Sequence, residues 1–274
     1  MSEFLTARLR QKQDQHKPIV SITAYDYFTA LIAREADVDF VLVGDSLGNV
    51  VQGAKTTVPV TLEQAIYHTR LVCAHFPAER VVLDMPFGTF KLEAHETVHN
   101  AVHAFKESGC GGVKFEGANH ENIFATRKLV DAGVPVLGHI GLQPQRVHTE
   151  GGYRMQGKTP AQAEQIMTEA RALEDAGAFA VVLECVVPEL AERITAALKI
   201  PTIGIGCGPS TDGQIIVMHD ILGMLPGKAP SFARQYAQLF EEAVRATAAY
   251  AEDVRQGRFP VVGTPKPARI YGSD

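Results

Sequence analysis

Charged side chains interrupt apolar runs of this sequence, and they carry its clearest signal for chemistry. Asp45 and Asp84 each follow a run of branched residues, while Lys114 and Glu116 lie inside another. An ionised group in an apolar segment is costly unless it is paired or binds a metal ion. The four residues therefore indicate a functional site.

Asp45, Asp84 and Glu116 offer carboxylate oxygens, with no cysteine or histidine interleaved at metal-ligand spacing. Such ligands favour Mg2+ over Zn2+ or Cu2+. Mg2+ keeps several waters, which a 2-oxo acid can displace with its carboxylate and keto oxygens. The metal then stabilises the enolate that forms when a C3 proton leaves. Each acid taken alone could instead be a helix cap or the ion-pair partner of a barrel lysine.

Glu184 lies in the apolar string VVLECVV. Burial there should raise the pKa of its carboxyl towards the range of a general base, which makes it the candidate for removing the C3 proton. It could also be a buried acid paired with Lys114 across a barrel. Lys114 itself would compensate the carboxylates and hold substrate oxygens. His139 could donate to the substrate or relay protons, although a lone histidine in a strand is more often structural.

Eight apolar segments alternate with helical patterns along the chain. Their continuous hydrophobicity is typical of parallel strands covered on both faces, and eight strands predict a closed (β/α)8 TIM barrel. The segments are 19–25, 40–44, 81–86, 112–117, 135–141, 179–186, 201–206 and 214–218. No linker divides the chain, so we expect one barrel domain over 1–274 with an N-terminal helix.

The strand ends predict where the site lies. In a barrel, side chains at the C-terminal ends of the strands meet at one mouth. The polar residues at these ends are Tyr25, Asp26, Asp45, Ser46, Asp84, Lys114, Glu116, His139 and Glu184. Two long connections, 45–60 and 142–158, also follow strand ends.

Helix boundaries have sequence signals of their own. Thr61 with Gln64, and Thr159 with Gln162, have the spacing of N-terminal capping boxes. Gly109, Gly133 and Gly177 stand where helices should end.

Composition excludes several classes of protein. The net charge of -5 and the absence of Lys/Arg clusters argue against a nucleic-acid surface. No apolar run approaches the ~20 residues of a membrane span, and no signal peptide is visible, so we expect a cytoplasmic protein. The four cysteines are scattered and should be reduced.

Two further patterns are weaker. His95, His99 and His103 share a helix face and could bind a transition metal, but a solvated or subunit-contact face is the better interpretation. The segment GIGCG, with Gly204, Gly206 and Gly208, lacks a following G-x-G-x-x-G helix start and should form a tight turn or approach a ligand.

The chain resembles the ketopantoate hydroxymethyltransferase family over nearly its whole length. The stretches that carry the resemblance are TAYDY, LVGDSLGNVVQG, TTVPVTL, LDMPFGT, GVKFEG, GHIGLQPQ, LECV and IGIGCGPSTDGQIIVMHDILG. Cys207 stands where a small residue, often alanine, is expected, and it still fits. The tail after Phe259, PVVGTPKPARIYGSD, carries no motif that we can place.

The resemblance implies a barrel of the phosphoenolpyruvate/pyruvate type and a homodecamer built as a pentamer of dimers. It also implies 3-methyl-2-oxobutanoate as the acceptor and 5,10-methylenetetrahydrofolate as the one-carbon donor. Position by position, it makes Asp45, Asp84 and Glu116 the magnesium residues and Glu184 the proton acceptor. Ser46, with Asp45, Asp84 and Lys114, corresponds to the contacts of the oxo acid. The loop 142–158, with Arg146, Arg154 and Lys158, could be a lid or contact the folate glutamate tail.

Three alternatives stay open from the residues alone. A lyase of the isocitrate-lyase or phosphonopyruvate-mutase type would need a cysteine in a strand-end loop, whereas Cys110 precedes a strand and Cys185 follows the proposed base. A magnesium-dependent aldolase would act without folate. A catalytically dead barrel should have lost its carboxylates, which are intact here.

Overall fold

The protein is built around eight parallel strands that close into a barrel in chain order, with β8 bonded back to β1. We analysed a computed structural model, which describes residues 4–150, 152 and 154–261. The strands are β1 (Ile19–Thr23), β2 (Phe40–Val43), β3 (Val81–Asp84), β4 (Gly112–Glu116), β5 (Val136–Gly141), β6 (Ala180–Glu184), β7 (Thr202–Ile205) and β8 (Gly213–Ile216). All eight predicted strands, and the predicted barrel, are confirmed.

Helices precede, connect and follow the strands of the barrel. They are α1 (Leu5–Asp14), α2 (Tyr27–Glu35), α3 (Leu47–Val50), α4 (Leu62–Cys73), α5 (Ala94–Ser108), α6 (His120–Asp131), α7 (Val147–Glu150), α8 (Pro160–Asp175), α9 (Pro188–Ala197), α10 (Met218–Leu222) and α11 (Leu239–Arg255). The short helices α3 and α7 lie in the two long connections that the sequence singled out. The predicted N-terminal helix is α1.

The helix boundaries follow the local signals. Thr61 and Gln64 form the complete capping box at the start of α4. At α8 only half of the predicted box forms, because the Thr159 side chain accepts from the Gln162 backbone without a reciprocal bond. The three predicted stop glycines all have the left-handed backbone that glycine adopts without strain, with φ of 72° at Gly109, 86° at Gly133 and 91° at Gly177.

The N-terminal helix closes the bottom of the barrel. Leu5 and Leu9 of α1 are buried in the interior cluster that also contains Phe40 and Leu137. Nearby, the buried carboxylate of Asp39 receives hydrogen bonds from Arg8, Lys12 and the backbone N–H of Val20. This acid is fully compensated and has a structural role.

Strand register places the charged residues of the opposite end side by side. Asp84 of β3 is the register partner of Lys114 of β4, and Glu116 of β4 is the partner of His139 of β5. Glu184 at the end of β6 is the partner of Gly141. Residues paired across parallel strands point to the same face, so the register brings these side chains together.

The chain outside the barrel is described in part. None of the described helices has the length and apolar character needed to cross a membrane. Most of the tail after Phe259, residues 262–274, lies outside the described residues.

Candidate active site

A cavity of about 680 Å3 opens at the C-terminal ends of the strands. Barrel enzymes build their active sites at this end. Seven of the nine polar residues predicted to meet at this mouth lie in its wall: Asp45, Ser46, Asp84, Lys114, Glu116, His139 and Glu184. The sequence therefore selected side chains from five strands, or the residues directly after them, that converge on one cavity.

Asp84 and Lys114 form a buried ion pair at the floor of this cavity. The Lys114 ammonium donates to both carboxylate oxygens of Asp84, at 2.7 and 2.8 Å. Burial raises the pKa of Asp84 to about 7 against the opposing effect of Lys114. Burial acts to lower the pKa of Lys114, but Asp84, Glu116 and Asp45 outweigh it and raise that pKa above its ordinary value. Lys114 is therefore a fixed cation among three acids.

Asp45 and Glu116 keep buried oxygens without a hydrogen-bond partner. These atoms are Oδ2 of Asp45 and Oε1 of Glu116. The other Glu116 oxygen accepts from the backbone N–H of Gln145 at 3.4 Å. Burial, with the charge of Asp45, raises the pKa of Glu116 well above its ordinary value. An unpartnered buried carboxylate oxygen is unfavourable unless a ligand or cation meets it, so both atoms point to one.

These oxygens fit a hard cation better than a tightly liganded transition metal. In the described part of the chain, no three His, Cys, Asp or Glu side chains are grouped so as to hold a metal ion by themselves. Mg2+ does not need such a group, because it commonly takes one or two protein carboxylates and completes its shell with water and substrate oxygens. Asp45 and Glu116 suit that role through their unpartnered oxygens, and Asp84, which also accepts from Lys114 and from the backbone N–H of Asp45, lies beside them.

Glu184 and His139 lie next to each other in the cavity wall. Nε2 of His139 lies 3.2 Å from Oε2 of Glu184, and its Nδ1 lies 4.0 Å from Oε1 of Glu116. Neither nitrogen has hydrogen-bond geometry in this arrangement. Burial, with the charge of Lys114, lowers the pKa of His139 well below its ordinary value, so the ring is neutral at pH 7. The alternative in which Glu184 pairs with Lys114 does not hold in this structure, because the Lys114 ammonium binds both oxygens of Asp84 and the close neighbour of Glu184 is His139.

The carboxyl of Glu184 has a raised pKa and keeps access to the cavity. Burial raises its pKa to about 8, with Lys114 opposing the shift. Its side chain keeps 17% of its surface exposed, whereas that of His139 keeps 2%. Glu184 thus reaches the cavity with a proton affinity matched to neutral pH.

Of the two polar residues after β1, Tyr25 contacts a residue of the site and Asp26 has a structural role. Tyr25 is fully buried, and its hydroxyl lies 2.8 Å from the Ser46 hydroxyl. Asp26, which we placed at the mouth, instead caps helix α2: its carboxylate accepts from the backbone N–H of Thr29 at 2.8 Å. An aspartate directly before a helix can accept hydrogen bonds from the free backbone N–H groups of its first turn. Asp26 does so, and its carboxylate is therefore part of the helix cap and not of the cavity wall.

Three charged residues of the site region were not selected from the sequence. Asp220 of α10 and Lys228 beyond it line the cavity. Lys91 donates to Gln143 at 2.7 Å, and its charge acts on Glu116. Asp220 stands only four residues after the end of β8, so the strand-end rule, applied to the eighth strand, would have found it. Lys228 had no comparable signal, because an irregular segment brings it back to the mouth.

The remaining expectations fall outside the cavity or at its rim. Within the described part of loop 142–158, Arg154 lines the cavity, whereas Arg146 and Lys158 do not. His95, His99 and His103 lie on exposed positions of the outer helix α5 and border a separate surface recess. Gly206 and Gly208 make a tight turn with φ of 65° and 86°.

Comparison with known proteins adds an independent finding. The family model described as ketopantoate hydroxymethyltransferase matches residues 3–262. The 3-methyl-2-oxobutanoate hydroxymethyltransferase of Moorella thermoacetica is 47% identical over 259 residues, covering 94% of this chain and 96% of the relative. The corresponding enzyme of Pyrococcus furiosus is 45% identical over 261 residues, covering 95% and 90%.

Solved structures with the same fold are more distant in sequence. A phosphonopyruvate hydrolase complex with oxalate and Mg++ aligns with a TM-score of 0.61 at 13% identity, covering 96% of this chain and 92% of that one. A 2,3-dimethylmalate lyase of the PEP mutase/isocitrate lyase superfamily aligns with a TM-score of 0.57 at 17% identity, covering 98% and 93%. These likenesses show a shared barrel fold, which agrees with the predicted (β/α)8 barrel.

Proposed function

The chain belongs to the ketopantoate hydroxymethyltransferase family and transfers a hydroxymethyl group to 3-methyl-2-oxobutanoate in pantothenate synthesis, and we propose how its barrel mouth does so. The observation that carries the proposal is the arrangement of Glu184. This carboxyl with a raised pKa shares one cavity with the cation Lys114 and with two unpartnered carboxylate oxygens.

The oxo acid binds at the floor of the cavity. The ammonium of Lys114 is positioned by Asp84, and its positive charge attracts the carboxylate and keto oxygens of the substrate. Ser46 supplies a hydroxyl to the same oxygens, and Asp45 fixes the orientation of the chelating end. The neutral ring of His139 can donate one hydrogen bond without adding charge.

Glu184 removes the single C3 proton of the bound substrate. Its raised pKa lets it accept a proton near neutral pH, and the neighbouring Lys114 stabilises the negative charge that moves to the keto oxygen. An electrostatic contribution of this kind is large in a site that excludes water. Glu184 must therefore be ionised when the substrate binds.

Asp45 and Glu116, through their unpartnered oxygens, and Asp84 beside them are the residues that would hold Mg2+. When bound, the ion supplies Lewis-acid stabilisation of the enolate charge.

The one-carbon donor is 5,10-methylenetetrahydrofolate, which enters from the open side of the cavity. The enolate carbon bonds to the methylene carbon of its iminium form. Water adds its oxygen to the same methylene carbon as the bond from that carbon to N5 breaks, and N5 takes a proton, so that 2-dehydropantoate and tetrahydrofolate are released. Two cations at the mouth, Arg154 and Lys228, line the cavity from segments after β5 and β8. They suit the carboxylates of the folate glutamate tail.

The proposal includes self-association and a cytoplasmic setting. A homodecamer agrees with the exposed apolar side chains that α11 presents, among them Val244 and Tyr250. All four cysteines are unpaired, as expected in a reducing compartment.

Product analysis tests the proposed donor. The purified protein, Mg2+ and 3-methyl-2-oxobutanoate should give 2-dehydropantoate by mass spectrometry only when methylenetetrahydrofolate is added. Equal product from free formaldehyde at the same concentration would contradict the folate assignment and favour an aldolase.

A further inference from the structure

Tyr25 does not line the cavity, but it contacts a residue that does. Its side chain is completely buried and does not line the cavity. Ser46 lines the cavity, and its hydroxyl lies 2.8 Å from the Tyr25 hydroxyl. A buried tyrosine hydroxyl normally needs a hydrogen-bond partner, and Tyr25 has two, Thr23 and the proposed substrate contact Ser46.

Tyr25 is itself held firmly on several sides. Its backbone N–H donates to Thr29 at 2.9 Å, and its carbonyl oxygen lies 2.6 Å from Nδ1 of His68. Its ring packs against His219 of α10, with ring centroids 5.5 Å apart. The tyrosine therefore has a fixed position, whereas a serine hydroxyl alone can rotate freely.

Ser46 has little else to fix it. It stands at the start of the four-residue helix α3 and makes no side-chain capping bond there. Its backbone belongs to the connection after β2, next to the buried Asp45. The hydrogen bond to Tyr25 thus decides which rotamer the Ser46 hydroxyl adopts, and with it the direction of the remaining lone pair or proton.

We propose that Tyr25 is a positioning residue that acts through Ser46, orienting its hydroxyl for hydrogen bonding with the oxygens of the 2-oxo acid. The inference rests on the proposed function, because it takes Ser46 as a substrate contact. Burial raises the pKa of Tyr25 above its ordinary value, so the phenol stays protonated throughout the working range of the enzyme. It can then donate to Ser46 or accept from it, as the bound substrate requires.

A double-mutant cycle in the apparent KM for the oxo acid tests the inference. Tyr25→Phe removes only the hydroxyl, so the fold is retained. Since a hydrogen bond contributes about one factor of ten at most when neutral groups are involved, we expect KM to rise roughly three- to tenfold with little change in kcat. Ser46→Ala should raise KM at least as much. In the Ser46→Ala background, Tyr25→Phe should have no further effect.

Two controls separate positioning from a general structural effect. Tyr27→Phe changes a tyrosine that is 55% exposed two residues away, and it should leave KM unchanged. The melting temperature of each variant reports structural damage independently. A KM increase from Tyr25→Phe that persists in the Ser46→Ala background would overturn the inference, as would an unchanged KM in Tyr25→Phe. If Ser46→Ala leaves KM unchanged while C3 proton exchange continues, both the Ser46 contact and the inference fail but the enolate chemistry stands.

Discussion

Two buried aspartates on either side of strand β2 show how surroundings decide the role of an acid. Asp39 lies before the strand, where Arg8, Lys12 and a backbone N–H satisfy its carboxylate. Asp45 lies after the strand, and its Oδ2 atom has no hydrogen-bond partner. The first acid stabilises the bottom of the barrel, and the second is available to a ligand. Residue type alone does not distinguish them, but their place relative to the strand does.

At the residue scale, the proposed role of Glu184 as the base predicts that its raised pKa sets the pH dependence of proton exchange at C3. The active form is the carboxylate, so the rate should rise by about tenfold per pH unit below this pKa and level off above it. With limiting Mg2+ the plateau should begin near pH 8, the pKa of the buried group. Saturating Mg2+ adds positive charge nearby and should move the plateau to lower pH. A flat profile between about pH 6 and 9 would be inconsistent with a base of this kind.

The same shift predicts the stability of a Glu184→Gln variant. The pKa of Glu184 is raised from 4.5 in the unfolded chain to about 8 in the fold. The native state therefore binds more protons between these values, and the stability of the wild type falls as pH rises through that window. The variant lacks this loss, so its melting temperature at pH 8 should equal or exceed that of the wild type. A markedly lower value would indicate a structural role for the carboxylate.

Arg154 and Lys228 should affect the folate donor selectively. Replacing either with alanine removes one cation from the cavity mouth, and each should raise KM for methylenetetrahydrofolate by roughly three- to thirtyfold, the range of a charge-assisted hydrogen bond. KM for 3-methyl-2-oxobutanoate should change less. Lys158→Ala is the matched control, because Lys158 is exposed but outside the cavity wall. Equal increases for both substrates, or for all three variants, would count against a folate-tail contact.

At the scale of elements, the end of β5 controls where Glu184 lies. Gly141 has a φ of 93°, and a Cβ atom there would lie 2.3 Å from the carbonyl oxygen of Glu184. That oxygen accepts the backbone N–H of Leu142 at 2.8 Å. Gly141→Ala must therefore displace the end of β6, and we expect C3 proton exchange to fall at least tenfold, because misplacement by about 1 Å can cost more than that.

Gly133→Ala is the control for backbone strain. Gly133 has a φ of 86°, but a Cβ atom there would meet nothing within 4 Å. Both variants should lose stability by about 1–2 kcal/mol from the left-handed backbone. Only Gly141→Ala should lose exchange activity beyond what its fraction of folded protein explains. Equal exchange rates per folded molecule would show that Gly141 does not position the base.

Strands and helices could be predicted from the sequence where their signals lie in a few neighbouring residues. Branched apolar runs identified all eight strands, and the strand-end rule then placed Asp84, Lys114 and Glu184 at one mouth. The sequence predicted that Lys114 would compensate carboxylates, but not that Asp84 would be its partner, because that choice depends on the register of β3 with β4. Asp26 was assigned to the mouth because the sequence does not show that a helix begins directly behind it. Lys228 lies in a segment without periodicity, so only the folded chain brings it to the site.

At the scale of the whole molecule, helix α11 is a feature that a single barrel does not explain. None of its 17 residues is buried. Phe240, Val244 and Val254 lie along one face by helical periodicity and are 37%, 52% and 46% exposed. An isolated helix of this length is marginal in water, so packing must stabilise it. A second copy of the chain is the partner that agrees with the proposed oligomer.

Light scattering after size-exclusion chromatography tests this role of α11. Val244→Glu places a charge on the apolar face and should shift the assembly to smaller species. Ala249→Glu adds the same charge on the opposite face of the helix and should leave the mass unchanged. A wild-type monomer, or an unchanged mass in the Val244→Glu variant, would contradict self-association through this face.

Proton NMR of 3-methyl-2-oxobutanoate in D2O tests the central claim most directly. With the protein and Mg2+ but no folate, the C3 proton signal should disappear through exchange. EDTA should stop this loss, and Glu184→Gln should slow it by about 10²- to 10⁴-fold, the usual contribution of a general base, while substrate binding is retained. Wild-type exchange in the Glu184→Gln variant, or no exchange in the wild type, would contradict a barrel mouth in which Glu184 generates the enolate.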